Sequence, residues 1–255
     1  MHTTMLSIPA GSGANEDAGG VLGQVAVVLD GAGVPARFRA GCRHSVAWFS
    51  HTLAARLLGR AQDPSLPLRA ALAGAIEEVR SLHERECELD RGGPSATVVA
   101  VRCTPEAVEH LVLCDSSLLL ERTGEGAGTA VTRLTDLRVD DVVREEGDAV
   151  AIEARRNAPG GFWVARHEPE AAAQALVGSM PRDSLRAVHL VSDGVTRTVD
   201  LLGMHDDSSL AAALREEPHA LLDRLRRQES LLPVGQRPRK LHDDATVLTI
   251  SLDDR

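Results

Sequence analysis

VHLVSDG, residues 188–194, is an apolar strand pattern that ends in an Asp-Gly pair. Three other β-rich runs also abut an aspartate: VAVVLDG at 25–31, HLVLCDS at 110–116 and HDDATVLTI at 242–250. Aspartate is a poor strand former and is rarely buried without a partner. One such junction is unremarkable, but four of them indicate strand ends that converge and hold carboxylates close together.

Carboxylates held close together indicate a cation site. Ionised carboxylates repel one another unless a cation lies among them, and oxygen-only ligands select a hard divalent ion such as Mg²⁺ or Mn²⁺ rather than Zn²⁺. The candidate ligands from the four junctions are Asp30, Asp115, Asp193 and Asp243. Because Asp-Gly is also a common turn pair, each such junction taken alone could simply open a turn.

Composition restricts the class of protein. The chain has 255 residues, enough for one large or two small domains, and a net charge of −9. The negative charge argues against nucleic acid or an anionic membrane surface as a partner. No apolar run reaches about 18 residues, which argues against a transmembrane helix. The N-terminus lacks the pattern of a signal peptide, so we expect a cytoplasmic protein.

Cysteine and histidine spacing gives no sign of a second metal site. The four cysteines, Cys42, Cys87, Cys103 and Cys114, are scattered without a C-x-x-C pair. This spacing argues against a zinc site or a disulfide framework and favours reduced thiols. The ten histidines show no H-E-x-x-H motif or other paired metal spacing.

Hydrophobic periodicity predicts groups of strands alternating with groups of helices. Strands are predicted at 21–30, 96–103, 107–114, 117–122, 186–192 and 245–252, with short strands within 131–165. Helices are predicted at 36–60, 66–88, 168–178 and 207–227, and a Gly-rich loop at 123–130. Strands that precede, separate and follow helical pairs indicate layered packing in one domain.

Five short motifs occur in a fixed order along the chain. They are Asn15-Glu16-Asp17, Asp30-Gly31, Ser95-Ala96-Thr97 followed by Cys114-Asp115-Ser116, Ser192-Asp193-Gly194, and Asp243-Asp244-Ala245-Thr246. In this order and at this spacing, the chain resembles the metal-dependent Ser/Thr protein phosphatases of the type 2C family, as a divergent member of the bacterial type. The resemblance runs from about Asn15 to the C-terminus.

The resemblance implies an α+β fold, a four-layer α-β-β-α sandwich of two antiparallel sheets flanked by helical pairs. It implies one phosphatase-like domain over residues 15–255, after an irregular segment at 1–14. It also implies an activity, the hydrolysis of phosphoserine and phosphothreonine in phosphorylated protein substrates. In that family a water activated at a two-metal carboxylate site attacks phosphorus, and no phosphoenzyme is needed.

The resemblance also implies a role for each of seven residues. Two Mn²⁺ or Mg²⁺ ions would be bridged by Asp30, with a further ligand from the Gly31 carbonyl, and one ion would be held by Asp193 and Asp243. Ligands or waters would be oriented by Asp17, Glu16 is a weaker candidate ligand, and a third, looser ion would be held by Asp115 with Asp193. The family pattern favours Asp243 over Asp244, whose simplest role is to cap the turn.

The substrate-binding positions depart from the family pattern. The family usually has an Arg about five residues before the position of Asp17, where this chain has Ser12. The residues that bind the substrate phosphate are therefore not identified, and the alternative is a weak or inactive domain that binds phosphoproteins or regulates them. A haloacid dehalogenase-type phosphatase with Asp30 as nucleophile would need a second aspartate where the chain has Ala32. The physiological substrate and the oligomeric state stay open.

Overall fold

Ten strands form two five-stranded sheets in the computed structural model, which describes residues 2–32, 35–123 and 130–253. In spatial order, the first sheet contains β1 (His2–Ile8), β10 (Ala245–Ser251), β9 (Leu185–Val191), β6 (Ser117–Arg122) and β7 (Val131–Leu134). The second sheet contains β2 (Ala18–Leu22), β3 (Val25–Leu29), β4 (Val98–Cys103), β5 (Ala107–Leu113) and β8 (Leu176–Pro181). Neighbouring strands in both sheets are antiparallel.

The two sheets pack face to face because their central strands are apolar on both faces. In β3, Ala26 and Val28 belong to the core between the sheets, while Val25, Val27 and Leu29 face the opposite way. All five side chains are at most 1% exposed. A strand buried on both faces has no polar positions to alternate with apolar ones, so the sequence reads as one continuous apolar run.

Helices cover the outer faces of both sheets. Those of the described chain are α1 (Val46–Arg60), α2 (Leu68–His83), α3 (Arg138–Glu145), α4 (Ala149–Ala154), α5 (Asp193–Asp200), α6 (Asp207–Glu216) and α7 (Pro218–Leu231). Helices α1 and α2 share a buried core with the second sheet, and α5, α6 and α7 share one with the first. The layers therefore follow the order α-β-β-α, and the predicted α+β sandwich is confirmed.

Local sequence explains where the first helical pair begins and ends. At the start of α1, the Trp48 backbone N–H donates to the Ser45 hydroxyl at 3.0 Å, an N-cap. Helix α2 ends at His83, which is 2% exposed, whereas Leu82 is 49% exposed. Leu82 is apolar but lies off the buried face of the helix. Residues three, four and seven apart share a helical face, so His83 continues the buried stripe of Ile76 and Val79 instead.

The N-terminal segment is more ordered than the sequence predicted. The expectation of irregular chain at 1–14 is wrong for His2–Ile8, which form β1. This edge strand pairs with β10 along its whole length, from His2 opposite Ser251 to Ile8 opposite Ala245. Its two faces differ only weakly in polarity, and no residue of the strand is fully buried. A strand with so little hydrophobic alternation gives a weak sequence signal.

Several predicted elements are subdivided in the structure. The predicted strand at 21–30 is a hairpin that turns at Gly23, whose φ of +54° suits glycine. The predicted helix at 36–60 is a 3₁₀ turn, Ala36–Arg39, followed by α1. The helical stretch at 207–227 breaks before Pro218, which begins α7.

The prediction of a helix at 168–178 is wrong beyond Gln174. A 3₁₀ helix spans Pro169–Gln174, and the chain then pairs with β5 as strand β8. Pairing with a neighbouring strand overrides the local preference there. The stretch 131–165 contains β7, α3 and α4 rather than short strands alone. Most of the loop predicted at 123–130 lies outside the described residues. Within the described parts of the chain, no helix has both the length and the apolar character needed to cross a membrane.

Candidate metal centre

Four aspartates from distant strand ends line one cavity of about 320 Å³. They are Asp30, Asp115, Asp193 and Asp243, and we call them the acidic cluster. The first follows β3, the second lies in the turn between β5 and β6, the third begins α5 just after β9, and the fourth precedes β10. Both sheets therefore contribute carboxylates at the same edge of the sandwich.

Backbone hydrogen bonds join these strand ends. The Thr97 N–H donates to the Asp30 carbonyl at 2.9 Å, and the Thr97 hydroxyl lies 2.5 Å from the Ser116 hydroxyl. On the other sheet, the Ser192 N–H donates to the Thr246 carbonyl at 3.0 Å, and the Thr246 N–H donates back to the Ser192 hydroxyl at 2.9 Å. These bonds fix the backbone on which the four carboxylates stand.

Both Asp-Gly pairs need glycine because other backbone passes close to them. A Cβ on Gly31 would lie 2.7 Å from the Glu16 carbonyl oxygen and 2.5 Å from Val46, and a Cβ on Gly194 would overlap the Asp244 carbonyl. Neither glycine has a positive φ. The glycines therefore serve close packing around the cavity rather than a left-handed turn.

The acidic cluster carries the electrostatic strain expected of crowded carboxylates. Burial raises the pKa of Asp30 well above its ordinary value, and the charges of Asp193, Asp17 and Asp115 raise it further. Burial also raises the pKa of Asp193, which a hydrogen bond from Asp30 lowers again. A divalent cation bound among these carboxylates would favour their ionised forms and so oppose this rise in pKa.

Asp115 lies at the other side of the cavity. Burial raises its pKa to about 7, with a further contribution from the charge of Asp193. The preceding Cys114 has a φ of +69°, a left-handed conformation that is uncommon for a residue with a side chain. This conformation turns the chain between β5 and β6 and brings Asp115 to the cavity.

Asp17 lies behind the cavity and does not line it. It is 2% exposed, and its Oδ2 accepts a hydrogen bond from the Ser192 hydroxyl at 2.8 Å. Its Oδ1 is buried without a hydrogen-bond partner among the described residues. Burial raises the pKa of Asp17 to about 7, against the hydrogen bonds from Thr246 and Ser192, which lower it. The residue is placed to influence Asp30 through its charge.

Glu16 and Asp244 hold the N-terminal segment beside the cavity. The two carboxylate oxygens of Asp244 accept bonds from the Ala10 and Glu16 backbone N–H groups, both at 2.6 Å. Both carboxylate oxygens of Asp244 therefore accept hydrogen bonds from backbone N–H groups, whereas the adjacent Asp243 lines the cavity. Burial raises the pKa of Glu16, and the charge of Lys240 opposes that rise. Glu16 itself does not line the cavity.

Cations also line the cavity, and sequence reasoning missed most of them. Asp243 accepts from Arg197 at 2.8 Å and from Lys240 at 3.0 Å. Arg156 and Arg239 contribute to the walls as well. Of these four, only Arg197 lies close along the chain to one of the predicted Asp-Gly pairs, Asp193-Gly194. The available signal was that Lys240, the sole lysine of the chain, stands three residues before Asp243.

The residues of the acidic cluster fit divalent metal ions. Four carboxylates share one cavity, and burial, with a further contribution from their mutual repulsion, raises the pKa of Asp30, Asp115 and Asp193. Cations already neutralise the fourth, Asp243. An all-oxygen set of this kind suits Mg²⁺ or Mn²⁺.

The chain belongs to the protein phosphatase 2C family. The model of the family described as Protein phosphatase 2C matches residues 13–231, most of the chain. This match and the sandwich fold confirm the resemblance inferred from the five motifs. No curated protein matches the sequence.

Solved structures of bacterial phosphatases share the fold. The serine/threonine phosphatase Stp1 from Staphylococcus aureus is 15% identical, with a TM-score of 0.64 over 99% of this chain and 95% of that chain. The Mycobacterium tuberculosis serine/threonine phosphatase PstP/Ppp is 20% identical, with a TM-score of 0.65 over 99% of each chain. The catalytic domain of PstP in complex with two manganese ions is 17% identical, with a TM-score of 0.60 over 97% and 96%. At these identities the likeness supports the fold alone.

Proposed function

We propose that this chain is a metal-dependent protein phosphatase that hydrolyses phosphoserine and phosphothreonine in phosphoprotein substrates. The observation that carries the proposal is the acidic cluster, four carboxylates from distant strand ends around one cavity. Membership of the protein phosphatase 2C family supports it. A protein of the same fold binds two manganese ions, which supports manganese as the metal.

The proposal assigns the metal ligands to the acidic cluster. Asp30 would be a ligand of both ions, and the Gly31 carbonyl would add a further ligand. Asp193 and Asp243 would hold one of the two ions. Asp115, with Asp193, would hold a third ion more weakly. Two divalent ions would neutralise charge on the phosphate oxygens and lower the pKa of an attacking water. Asp17 would act behind them as a positioning residue, because it accepts the Ser192 hydroxyl and adds charge next to Asp30. Glu16 remains the weakest candidate.

The substrate phosphate needs a cation, and Lys240 is the candidate. Ser12, which replaces the usual Arg, is exposed and does not line the cavity. The Lys240 side chain is 40% exposed and is paired with Asp243. When Asp243 turns to a metal ion, the ammonium group loses this partner and can contact a phosphate oxygen. Arg156 is less available, since it pairs with Glu153 at 2.9 Å and lies over the Phe162 ring.

The test is hydrolysis of a phosphothreonine peptide with Mn²⁺ and with EDTA. Turnover that needs Mn²⁺ and is lost in Asp193→Ala supports the proposal. Asp223→Ala is the matched control, because Asp223 is an exposed aspartate of α7 that does not line the cavity. A folded wild type that binds Mn²⁺ without turnover would overturn the catalytic proposal.

A second candidate is a weak or inactive domain that binds or regulates phosphoproteins. The observation that favours it is that both carboxylate oxygens of Asp243 are already paired, Oδ2 with Arg197 and Oδ1 with Lys240. Cations at an intended metal ligand can substitute for the metal and leave the cavity able to bind a phosphate. This candidate predicts that a phosphopeptide binds in EDTA and is not hydrolysed in Mn²⁺; rapid Mn²⁺-dependent hydrolysis excludes it.

A further inference from the structure

Two cysteines and two histidines meet where helix α1 begins and helix α2 ends. They are Cys42, His44, His83 and Cys87, and we call them the Cys–His cluster. One ligand atom from each residue, Sγ or a ring nitrogen, lies within 4.8 Å of the other three. No role in the proposed phosphatase chemistry involves these residues, since none of them lines the acidic cavity.

The Cys42 thiol stands at the centre of the contacts. Its Sγ lies 3.1 Å from the Cys87 Sγ, 3.2 Å from the His83 Nδ1 and 3.5 Å from the His44 Nδ1. The Cys87 Sγ lies 3.5 Å from the same His44 nitrogen. A thiol has one hydrogen and is a weak donor, so hydrogen bonds alone do not account for four such groups turned toward one point.

The distances match those of ligands around one tetrahedral ion. Bonds of about 2.3 Å to sulfur and about 2.0 Å to nitrogen place neighbouring ligand atoms roughly 3.3–3.8 Å apart around zinc. The four separations above, 3.1–3.5 Å, lie at or just below that range, and no two of the four ligand atoms are more than 4.8 Å apart, so small shifts would complete the tetrahedral geometry. A hard ion such as Mg²⁺ or Mn²⁺ disfavours sulfur, whereas zinc accepts two thiolates and two imidazoles.

We propose that the Cys–His cluster is a structural zinc site. Four protein ligands would fill the coordination sphere and leave no position for substrate, as in closed structural sites. The cysteines are free, with no disulfide between Cys42 and Cys87. The site shares no ligand with the acidic cluster, and none of its four residues lines the acidic cavity.

The site would fasten a connecting loop to the helical pair. Cys42 and His44 lie between the 3₁₀ turn at Ala36–Arg39 and α1, whereas His83 ends α2 and Cys87 follows it. The same two segments already touch through backbone, since the Glu88 N–H donates to the Gly41 carbonyl at 2.7 Å. At Gly41 a Cβ would overlap the Glu88 carbonyl, so no side chain fits there. A zinc ion would lock this close contact.

The histidines are held in place by packing. The His44 ring lies 4.1 Å from the Trp48 ring between centroids, and His83 lies 5.2 Å from the same tryptophan. His83 is 2% exposed, which makes it the most buried ligand. Ligands ordered before metal binding lose less entropy when the ion arrives, so this packing favours a tight site.

The test is the zinc content of the whole chain. The protein is purified under reducing conditions without chelators, and loosely bound zinc is then removed by dialysis against a weak chelator. We expect about one zinc per chain in the wild type and almost none in the double variant Cys42→Ser/Cys87→Ser. Cys103→Ala is the matched control, because Cys103 is a buried cysteine outside the cluster. Asp193→Ala should also retain zinc, which separates this site from the acidic cluster.

A single variant covers the case in which the double variant does not fold. His44→Gln removes one half-buried ligand and should weaken zinc binding at least tenfold, measured by competition with a chromogenic chelator. Cobalt added to the metal-free protein should give the visible absorption of a tetrahedral thiolate site. Wild-type protein that stays free of zinc and shows four thiols when they are counted after denaturation overturns the proposal. So does recovery of only two thiols without zinc, which would indicate a Cys42–Cys87 disulfide.

Discussion

The acidic cluster and the Cys–His cluster are two solutions to holding a cation, and they differ in shape. Among the described residues, only the Cys–His cluster brings its ligand atoms within 4.8 Å of one another. The acidic cluster instead surrounds an open cavity of about 320 Å³. Neutral thiols and imidazoles do not repel one another at short range as ionised carboxylates do. A closed site suits a structural ion, and an open one leaves room for water and substrate.

The largest expected effect separates the two clusters by removing one carboxylate. In Asp30→Asn, the Mn²⁺-dependent hydrolysis of a phosphothreonine peptide should fall at least about 100-fold, because Asp30 is the proposed ligand of both ions. The zinc content should stay at the wild-type value. Activity and zinc are measured on the same preparation.

Two outcomes would contradict this separation of the two clusters. Loss of zinc together with activity in Asp30→Asn would mean that the variant disturbs the fold or that one metal serves both sites. Turnover within about tenfold of the wild type would contradict the role given to Asp30. The control for a generic loss of charge is Asp223→Asn, because Asp223 is an exposed aspartate.

The two clusters also differ in how far the sequence predicts them. Each aspartate of the acidic cluster follows or precedes an apolar run, so its place at a strand end can be read locally, and the five motifs identify the family. The Cys–His cluster has no such local pattern, because Cys42 and His83 meet only through the packing of α1 against α2. The spacing therefore argued against a zinc site, and the structure is what suggests one.

The same distinction explains what the sequence missed elsewhere. Strand β1 depends on β10, more than 200 residues away along the chain, and its own residues alternate too weakly to predict it. Lys240 enters the acidic cavity from the polar connection between α7 and β10, whose regular structure is limited to a 3₁₀ turn at Val234–Gln236. Features built from contacts between distant segments are the ones that local patterns do not report.

The second effect, on local stability, concerns the Cys–His cluster. Removing zinc with a selective chelator should speed tryptic cleavage at Arg43 or Arg85 about tenfold or more, since a locally opened segment is cut in proportion to its population. Each arginine lies between two ligands along the chain, Arg43 between Cys42 and His44 and Arg85 between His83 and Cys87, and the Arg43 side chain is 68% exposed. Cleavage sites and rates are measured by mass spectrometry.

The controls for this effect lie within the chain. Cys42→Ser/Cys87→Ser should be cleaved quickly without chelator, whereas Cys103→Ala should respond to the chelator as the wild type does. Cleavage rates that do not change with zinc would show that packing alone fastens the loop at 40–45.

A smaller effect concerns Lys240, whose ammonium group pairs with Asp243 of the acidic cluster. Lys240→Gln should bind Mn²⁺ several-fold more tightly, because the ammonium group no longer competes for Asp243. The same variant should have a lower kcat/KM for the phosphopeptide, because the proposed phosphate contact is lost. Calorimetry and steady-state kinetics measure the two changes separately.

Opposite signs in these two measurements are the informative result. Arg237→Gln is the control, because Arg237 is an exposed cation of the same connection that does not line the cavity. If Lys240→Gln leaves Mn²⁺ affinity unchanged, the pairing with Asp243 does not oppose metal binding. If kcat/KM is also unchanged, another cation holds the phosphate.

The smallest effect concerns Asp17. It tests whether burying this carboxyl beside the acidic cluster lowers the stability of the folded chain when no metal is bound. Burial raises the pKa of Asp17 from an ordinary 3.8 to about 7, so the folded metal-free chain keeps a proton that the unfolded chain releases. Stability from this group is therefore fully present below the unfolded pKa and falls as pH rises through about 7.

Asp17→Asn stays neutral at every pH and removes this dependence. In EDTA, it should unfold a few degrees higher than the wild type at pH about 8, with a smaller difference at pH about 5. Thermal unfolding at both pH values measures the change. A uniform loss of stability at both would mean that the bond from the Ser192 hydroxyl to Asp17 outweighs the burial of its charge.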